Sequence, residues 1–410
     1  MGSDDLALRP VRHPGRGEAP LGILVTDPEP GTARTLLERD SQEAASPVSN
    51  GERTSFPPVT ESSLKATVIY GAGDVRVETR PDPTIVEPTD AIVRTVRACV
   101  CGSDLHPYRS MAHTDQGIPI GHELLGVVEE TGSAVTSVRP GDLVIAPFAW
   151  SDNTCPVCRD GFQTACPHGG FYGNPGDVGG QQAELARIPL ADGSLVAVPD
   201  VDETSPLLPS LLTLSDVYLT GYHAAHMARV SARTTVTVIG DGAVGLSAVL
   251  AARQMGAERI ILMGRHTSRT DLGREWGATD VVAERGAEGI ERVLDLTGGL
   301  GSHVVLEAVG HMPAYEQSYG VVRAGGVISR VGVPQYEDAP VGFGSLFGRN
   351  ITLTGGPAPV RAYLEDAIPQ VLRGEIDPGR VFDKTVAIDD IAEGYAAMDR
   401  RESLKTLVAF

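Results

Sequence analysis

The sequence predicts an α/β protein with two folded parts, a β-rich domain and a doubly wound parallel sheet covered by helices. Between residues 64 and 215, short β-forming runs are separated by frequent Gly and Pro, which is typical of a compact β-rich domain. Between residues 235 and 355, strand-like and helix-like segments alternate, as the crossover connections of a parallel sheet require. A chain of 410 residues is long enough for two or three domains.

Residues 1–63 are predicted to form a disordered N-terminal extension. The segment contains eight prolines, many charged and small polar residues, and a single aromatic residue, Phe56. It carries too little apolar surface to offset the entropy lost on ordering, except in a marginal helix near residues 33–39. We interpret it as an extension without a specific role, in preference to a regulatory tail.

The β-rich domain is predicted over residues 64–215. Its first strand, 64–70, ends at the turn formed by residues 71–73, where two glycines flank an alanine. Further strands are expected over 91–97, 124–130, 143–146 and 182–188.

The doubly wound domain is predicted over residues 216–356. Its strands are expected at 235–239, 259–263, 280–283, 303–308, 326–332 and 351–354. Its helices are expected to begin after Gly242, Thr267, Gly286, Met312 and Ala339. The last segment, 357–410, is predicted to form a helix (360–373), a strand, a helix near 388–399 and a closing strand (404–410). We expect this segment to return to the first domain.

Composition argues against several classes of function. A net charge of −19 without any basic run argues against a nucleic acid partner. The most apolar stretch, residues 207–230, is interrupted by a proline, an aspartate and two histidines, so neither a membrane span nor a membrane partner is predicted. The sequence also lacks a signal-peptide core near its start. Five cysteines, three of them closely spaced, favour metal ligation in a reducing cytoplasm over a disulfide framework.

Three residue types that zinc accepts as ligands occur in separate motifs. Cys101 begins the run Cys-Gly-Ser-Asp-Leu-His, His122 follows Gly121, and Asp216 lies far downstream. Each residue alone has a simpler explanation, which is a buried thiol, a satisfied histidine or, for Asp216, a helix cap. Together, three ligands would leave the fourth position of zinc open for water or substrate, as a catalytic site needs.

A glycine-rich motif predicts a dinucleotide site. Gly240, Gly242 and Gly245 follow an apolar strand and precede a helix rich in alanine and leucine. This is the context of a Rossmann domain, in which the pyrophosphate of the dinucleotide faces the helix N-terminus. The motif and the three zinc-ligand types predict zinc-assisted hydride transfer.

The end of the second strand of this domain bears on the choice of dinucleotide. The sequence there is Gly264-Arg265, where an enzyme using NAD(H) would carry an acid for the ribose hydroxyls. We expect Gly264 to make room for a 2′-phosphate and Arg265, assisted by Arg269, to bind it. The sequence therefore favours NADP(H) over NAD(H), with a solvated basic loop as the alternative.

Residues 64–410 resemble the zinc-dependent alcohol dehydrogenases of the medium-chain dehydrogenase/reductase family. The resemblance rests on residues 101–106, on Gly-His-Glu-x-x-Gly at 121–126 with a glycine and a valine at the family spacing behind it, and on the glycine motif. It implies a GroES-like catalytic domain and a Rossmann domain, with a catalytic zinc bound by Cys101, His122 and Asp216. The third ligand is often cysteine in the family. A carboxylate is a harder ligand, so the zinc should be a stronger Lewis acid and more weakly held.

The resemblance also implies roles for residues around this zinc. Glu123 would tune the metal as a neighbouring or transient ligand. Ser103 would bind the alcohol oxygen and pass its proton to His106, with a turn serine and a surface histidine as the alternatives. The other implied contacts are Lys405 with the pyrophosphate, and Phe148 and Trp150 with an apolar flank of the substrate.

A second zinc site is predicted in a loop rich in glycine and asparagine. The loop reproduces the structural zinc lobe of the family, with aspartate in place of the first cysteine. Its four implied ligands are Asp152, Cys155, Cys158 and Cys166. Closed four-ligand sites fold loops that lack a core of their own. His168 is a rival fourth ligand, and three free thiols in an empty lobe are the alternative.

We therefore expect an NADP(H)-preferring, zinc-dependent alcohol dehydrogenase or carbonyl reductase with two zinc ions per chain. Its partner would be a small-molecule alcohol or carbonyl substrate, and the resemblance implies a homo-oligomer, either a dimer or a tetramer. A family member that reduces an activated C=C or C=N bond is the alternative enzyme. A dinucleotide-binding scaffold or sensor without turnover is a further alternative, but Ser103 and His106 argue against it because a binding protein needs no proton relay.

Overall fold

The structure is a computed structural model, which describes residues 63–173, 178–336, 339 and 342–410. The predicted extension, 1–63, lies outside the described residues except for Ser63, which begins the first strand. In the part of the chain that is described, no helix is both long enough and apolar enough to cross a membrane.

The predicted strands are present, with ends that differ by a few residues, but the sequence did not predict β2, β4, β7, β8 or β10. In chain order they are β1 (Ser63–Gly71), β2 (Asp74–Pro81), β3 (Ala91–Cys99), β4 (Ile118–Pro119), β5 (Leu124–Thr131), β6 (Leu143–Ala146), β7 (Ala149–Trp150), β8 (Gly170–Phe171), β9 (Leu185–Ile188), β10 (Val196–Ala197), β11 (Thr235–Ile239), β12 (Arg259–Met263), β13 (Asp280–Val282), β14 (Ser302–Glu307), β15 (Val322–Arg330), β16 (Thr352–Gly355), β17 (Lys384–Ala387) and β18 (Thr406–Ala409).

The helices include several that the sequence did not predict, α1 to α5 among them. In chain order they are α1 (Leu105–Ser110), α2 (Pro156–Arg159), α3 (Ala191–Ser194), α4 (Leu208–Thr213), α5 (Val217–Met227), α6 (Ala243–Gln254), α7 (Thr267–Glu275), α8 (Gly286–Leu296), α9 (Met312–Val321), α10 (Phe343–Phe347), α11 (Val360–Leu372) and α12 (Ile391–Asp399). The helix expected after Ala339 is the short α10. Short 3₁₀ turns occur at Gln163–Ala165, Pro378–Val381 and Ile388–Asp390.

The first part of the chain and its last strands share one sheet. The strand order is β10-β6-β5-β3-β18-β17, and β9 also pairs with β3. Strand β18 runs antiparallel to β3, with Val408 opposite Ala98, so the last residues of the chain lie beside the strand that leads to Cys101. A smaller sheet, β2-β1-β4, and the pair β7-β8 complete this part among the described residues.

The second sheet has the predicted doubly wound topology. Its order is β13-β12-β11-β14-β15-β16, and every neighbouring pair is parallel. The central strand β11 consists of β-branched residues and is buried over most of its length, as a strand covered on both faces must be. The carboxyl ends of β11, β12 and β14 meet at one edge, where open α/β sheets bind their ligands.

Helix α5 links the two parts and carries Asp216 at its start. It packs closely on α6 because Gly221 faces that helix. A Cβ at Gly221 would lie 2.5 Å from the backbone nitrogen of Ala248. The sequence did not predict α5 because apolar residues occupy nearly every face of this helix, so the sequence shows no clear helical period.

Candidate active site and metal centres

Four potential metal ligands from three separate segments meet in the first donor cluster, which consists of Cys101, His122, Glu123 and Asp216. One ligand atom from each residue lies within 4.8 Å of those of the other three. Cys101 follows β3, His122 and Glu123 precede β5, and Asp216 begins α5. The predicted ligands are therefore brought together, although Cys101 and Asp216 are 115 residues apart in the chain.

The ring of His122 is oriented by Asp104, a residue that the sequence analysis did not assign. Oδ1 of Asp104 lies 3.2 Å from Nδ1 of His122, which leaves Nε2 facing Asp216 Oδ2 at 3.5 Å. Oδ2 of Asp104 accepts hydrogen bonds from the backbone N–H of Cys101 and from Gln182. A carboxylate on the second ring nitrogen is the usual support of a metal-binding histidine. Burial opposes a charge on His122, but Asp104 and Cys101 raise its pKa well above its usual value.

Asp216 points into the cluster and does not cap α5. Its side chain makes no capping hydrogen bond to the first turn of the helix. Instead, Thr220 donates to Oδ1 at 2.6 Å, and Oδ2 lies 3.6 Å from Cys101 Sγ. Burial alone would raise the pKa of Asp216, but the hydrogen bond and charge of His122 lower it below its ordinary value. The helix-cap alternative is therefore wrong for this residue.

Glu123 forms a buried ion pair with Lys405. Nζ of Lys405 donates to Glu123 Oε1 at 2.6 Å and to the carbonyl of Val100 at 3.3 Å, and both charged side chains are buried. Lys405 was expected at the pyrophosphate, but its ammonium is instead held beside the first donor cluster. In this position the ammonium is not available to a pyrophosphate, contrary to that expectation.

The donor set of the first cluster fits a zinc ion. Three acidic groups, Cys101, Glu123 and Asp216, converge there, and Oε2 of Glu123 is buried without a hydrogen-bond partner among the described residues. A buried carboxylate oxygen without a partner is costly, and a cation in the cluster would remove that cost. Sulfur, nitrogen and oxygen donors are those that zinc takes in proteins. Burial raises the pKa of the Cys101 thiol, and a bound metal would favour its thiolate.

The two predicted relay residues are not bonded to each other through their side chains among the described hydrogen bonds. Ser103 Oγ lies 3.4 Å from Nε2 of His122. Nε2 of His106, on α1, lies 3.0 Å from the amide nitrogen of Gln335. Among the described hydrogen bonds none joins the side chains of Ser103 and His106, so a relay between them requires a bridging hydroxyl or water.

Of the two aromatic residues predicted at the substrate, only Phe148 lies beside the cluster. Its ring contacts the ring of His122 edge-on, with centroids 6.4 Å apart, and stacks on Phe171. Trp150 is instead buried in the core of the first domain, against Tyr172. Gly170 makes this possible, since a Cβ there would lie 2.3 Å from the indole ring. The pocket assignment of Trp150 is therefore wrong.

The second donor cluster consists of Asp152, Cys155, Cys158 and Cys166, as predicted. Their ligand atoms also lie within 4.8 Å of one another, and the three cysteines are free and buried. Sγ of Cys155 lies 4.0 Å from Sγ of Cys166, which is too far for a disulfide and suits two ligands of one ion. The donor set of three thiols and a carboxylate fits a closed zinc site.

His168 contacts the second cluster through Asp152 and is not one of the cluster's residues. Its Nδ1 lies 2.5 Å from Asp152 Oδ2, while Oδ1 of Asp152 accepts from the backbone N–H groups of Thr154 and Cys155. Burial would raise the pKa of Asp152, but these hydrogen bonds lower it below its usual value. The Asp152 carboxylate is therefore ionised, and its contacts with His168 and with the two backbone N–H groups fix its orientation.

The glycine motif has the geometry of a dinucleotide turn. Gly240, at the end of β11, has φ of +109°, which favours glycine. A Cβ at Gly245 would lie 2.0 Å from the carbonyl oxygen of Gly240, so helix α6 can approach the strand only without a side chain there. Nothing lies within 4 Å of the Cβ position of Gly242, which leaves the N-terminus of α6 open.

The space beside Gly264 is filled by Asp241, contrary to expectation. A Cβ at Gly264 would lie 2.5 Å from Asp241 Cβ and 2.9 Å from its Oδ2. That oxygen accepts from the backbone N–H groups of Arg265 and His266 and contacts His266 Nδ1. The sequence suggested that no carboxylate is present at this strand end. Asp241 supplies one from the neighbouring turn, because the two strand ends are adjacent in the parallel sheet.

Basic side chains surround this carboxylate. Arg265 is exposed and forms no salt bridge among the described residues, whereas Arg269 is half-buried and donates to the carbonyl of Ser403. Burial and the charges of Arg265 and Arg401 lower the pKa of Arg285. Arginines from three segments therefore lie near one another at the end of β12, where a ligand of opposite charge would relieve their repulsion.

Sequence reasoning missed the residues that hold the ligands. Asp104 lies inside the motif that begins at Cys101, and Thr220 lies one helical turn after Asp216, so local spacing could have suggested both. Asp241 occupies the position between the first two glycines of the glycine motif. No local signal marked Gln335, which contacts His106 from the other domain.

Comparison with known proteins places the chain in a family. A family described as alcohol dehydrogenase GroES-like domain matches residues 87–200, and one described as zinc-binding dehydrogenase matches residues 243–372. The zinc-type alcohol dehydrogenase B of Aspergillus flavus is 32% identical over 87% of this chain and 83% of its own length. An alcohol dehydrogenase of Cupriavidus necator is 30% identical over 81% of this chain and 94% of its own length.

A solved structure agrees with these matches. The alcohol dehydrogenase of Thermus sp. ATN1 has a TM-score of 0.78 and 32% identity, covering 84% of this chain and 99% of its own. The chain therefore belongs to the zinc-dependent alcohol dehydrogenases of the medium-chain dehydrogenase/reductase family, as its motifs predicted. It is an oxidoreductase of a family that uses zinc and a nicotinamide dinucleotide, and its GroES-like and Rossmann folds are confirmed.

Proposed function

We propose that this enzyme transfers hydride between NADP(H) and a small-molecule alcohol or carbonyl compound, with a catalytic zinc held by Cys101, His122 and Asp216. The observation that carries the proposal is the buried convergence of these three ligand types, two of which are oriented by partners that are not ligands, His122 by Asp104 and Asp216 by Thr220. When bound, zinc supplies a Lewis acid at the substrate oxygen, and the dinucleotide accepts or supplies the hydride.

The residues around the cluster have separable tasks. Asp104 keeps Nε2 of His122 turned toward the cluster, and Thr220 keeps Oδ2 of Asp216 there. Lys405 binds one carboxylate oxygen of Glu123. The second oxygen is therefore available to take the place of a water or product that leaves the cluster. Phe148 forms an apolar wall beside His122 and favours substrates with an apolar flank.

Proton transfer is assigned to Ser103 and His106. The hydroxyl of Ser103, 3.4 Å from His122 Nε2, lies where it can accept the proton of an alcohol bound at the cluster. The proton then passes toward His106, on the adjacent helix α1. Burial and the neighbouring charges of Arg109 and His311 lower the pKa of His106, so its imidazole is neutral and able to accept a proton at neutral pH.

The preference for NADP(H) is supported by the arginines at the end of β12. Arg265 is exposed beside the open dinucleotide turn and forms no salt bridge among the described residues. Asp241 opposes this preference in principle, but two backbone N–H groups and His266 already offset its charge. The positive charge of the arginines therefore outweighs the negative charge of Asp241, which favours binding of the 2′-phosphate of NADP(H) with Arg265 as its main contact.

The second zinc is proposed to stabilise the lobe around residues 152–168 without taking part in turnover. Its ligands are Asp152, Cys155, Cys158 and Cys166, and no position is left open for a substrate. Here we assign Asp152 as the fourth ligand and His168 as its support, because Nδ1 of the histidine is occupied by the carboxylate.

The experiment that tests the proposal combines turnover with metal removal. NADPH oxidation should be measured with a panel of ketones, aldehydes, enals and imines, before and after chelation and after zinc is restored. Reduction of carbonyl substrates that is lost on chelation and recovered with zinc is expected. Turnover confined to the C=C bond of enals or to imines would replace the carbonyl assignment, and turnover that is unaffected by zinc loss would contradict it.

A further inference from the structure

Hydrogen bonds between side chains join the two domains at the predicted relay residue His106. The amide nitrogen of Gln335, in the segment after β15, lies 3.0 Å from Nε2 of His106 and 3.4 Å from Nε2 of His311. His106 belongs to α1 in the first domain, whereas His311 precedes α9 in the second. The contact between His106 and Gln335 spans 229 residues of sequence.

The backbone that carries Gln335 is held in place. Its N–H donates to the carbonyl of Gly310 at 2.9 Å. The turn at Gly310 is in turn anchored by Glu307, a fully buried carboxylate that accepts from the N–H groups of Val309 and Gly310, at 2.8 Å each. The amide is therefore placed against His106 by a defined turn at the carboxyl end of β14.

An amide is suited to a histidine that changes its protonation state. An amide nitrogen has two N–H donors, so it can serve both His106 and His311 only when each offers an unprotonated Nε2. When the imidazole of His106 takes up a proton, that nitrogen becomes a donor, and rotation of the amide presents its carbonyl oxygen as the acceptor. The arrangement seen here, with the amide nitrogen on both histidines, therefore favours the neutral state, and a protonated His106 can be bonded only after the amide rotates.

We propose that Gln335 is a positioning residue for His106, and that it fixes the imidazole of the cofactor-free enzyme in the neutral form with the proton on Nδ1. This inference rests on the proposed function, in which His106 accepts the proton that leaves the alcohol. Gln335 has no hydrogen bond to the first donor cluster or to Ser103 among the described residues, so we assign its effect on the reaction to His106.

The charges that face His106 favour its neutral form. Arg109 lies on the same helix, and His311 faces the ring from the second domain, while Asp104 is the nearby acid. Arg109 is itself paired with Asp399 on α12 at 2.6 Å. Burial, followed by Arg109 and His311, lowers the pKa of His106, and Asp104 offsets part of this. A new carboxylate at position 335 would reverse the balance.

The test uses Gln335→Glu and Gln335→Met in the full-length enzyme. The pKa of His106 is measured by NMR in the cofactor-free protein, with its signal identified by loss in His106→Gln. The pH profile of kcat/KM for the alcohol at saturating dinucleotide is recorded in parallel, since it reports the ionisations of the enzyme form that binds the alcohol, in which His106 would accept the proton. Glutamate should raise the pKa of His106 by about one unit, because an opposite charge at this distance shifts a pKa by at least that amount.

The sign of the kinetic effect follows from the need for a neutral imidazole. In Gln335→Glu the acidic limb of the profile for alcohol oxidation should move to higher pH by about one unit, a loss of about tenfold below the limb and little change above it. Gln335→Met should lower kcat/KM about fivefold at all pH values, because one hydrogen bond is lost without a new charge. As a matched control, Gln370→Glu adds the same charge on α11, where the amide contacts only the carbonyl of Asp366 among the described hydrogen bonds, and should change neither readout.

The outcomes separate this inference from the function on which it rests. If His106 titrates in Gln335→Glu as it does in the wild type, the positioning role is refuted whatever the kinetics show. If its pKa rises but the acidic limb does not move, His106 is not the proton acceptor. That result would overturn the relay in the proposed function and, with it, the role of Gln335 in turnover. A shift of both readouts supports both.

Discussion

The choice between NADPH and NADH can be tested at one side chain, Arg265. It lies exposed at the end of β12, beside the open N-terminus of α6, and forms no salt bridge among the described residues. Arg265→Ala removes the guanidinium but retains the backbone N–H that donates to Asp241 at 2.8 Å. The change therefore tests the side chain without dismantling the turn.

The expected magnitude follows from one charged contact. A hydrogen bond to a charged group contributes about 1.5–3 kcal/mol, which corresponds to roughly a 10- to 150-fold difference in affinity. We expect the lower end of this range because Arg265 is exposed and because Asp241 lies beside the site. The wild-type kcat/KM for NADPH should therefore exceed that for NADH by at least about tenfold, and Arg265→Ala should remove most of the difference.

The structure also decides which second variant is informative. Gly264→Asp, the obvious way to restore an acid for NADH, would place a Cβ 2.5 Å from that of Asp241 and disturb the turn. Asp241→Asn is the more informative second variant, because it removes a charge but retains an oxygen for the N–H groups of Arg265 and His266. It should increase the preference for NADPH.

The assay is steady-state kinetics with both dinucleotides at one saturating substrate, for the wild type, Arg265→Ala, Arg265→Lys and Asp241→Asn. Arg265→Lys should retain part of the preference for NADPH, because the positive charge remains but the paired N–H donors of the planar guanidinium are lost. A wild type that prefers NADH, or an Arg265→Ala variant with an unchanged ratio, would refute the phosphate site.

Other predictions concern the two donor clusters. The full-length enzyme should hold two zinc ions per chain, and Cys158→Ala should lose one and lower the melting temperature; elemental analysis finding at most one zinc in the loaded wild type would contradict this. Asp216→Ala should abolish turnover but retain NADPH binding measured by fluorescence, whereas near-normal turnover would exclude Asp216 as a ligand. Asp104→Ala should weaken zinc binding about 10- to 100-fold in a chelator competition. An unchanged affinity would show that the orientation of His122 does not depend on Asp104. His168→Ala should release zinc from the second cluster faster and leave kcat unchanged, while loss of that zinc altogether would make His168 a ligand.

Much of the fold and part of the site were predictable because their signals are local. The glycines at 240, 242 and 245 act through turn geometry and close approach over a few residues, which their spacing records directly. The alternation of strands and helices likewise indicated a doubly wound parallel sheet, which the structure confirms. The helices α4 and α5 were missed because continuously apolar segments lack a clear period.

The sequence by itself determined the types of ligand and the kind of cofactor turn, since these depend on residue chemistry at short spacing. The tertiary structure alone decided which way each side chain faces. It oriented the side chain of Asp216 toward the first donor cluster, buried Trp150 against Tyr172, and placed Asp241 beside Gly264. It also joined Gln335 to His106 across 229 residues. Contacts of this kind depend on how sheets and helices pack against one another, and a contact between residues far apart in the chain leaves no pattern in the local sequence of either.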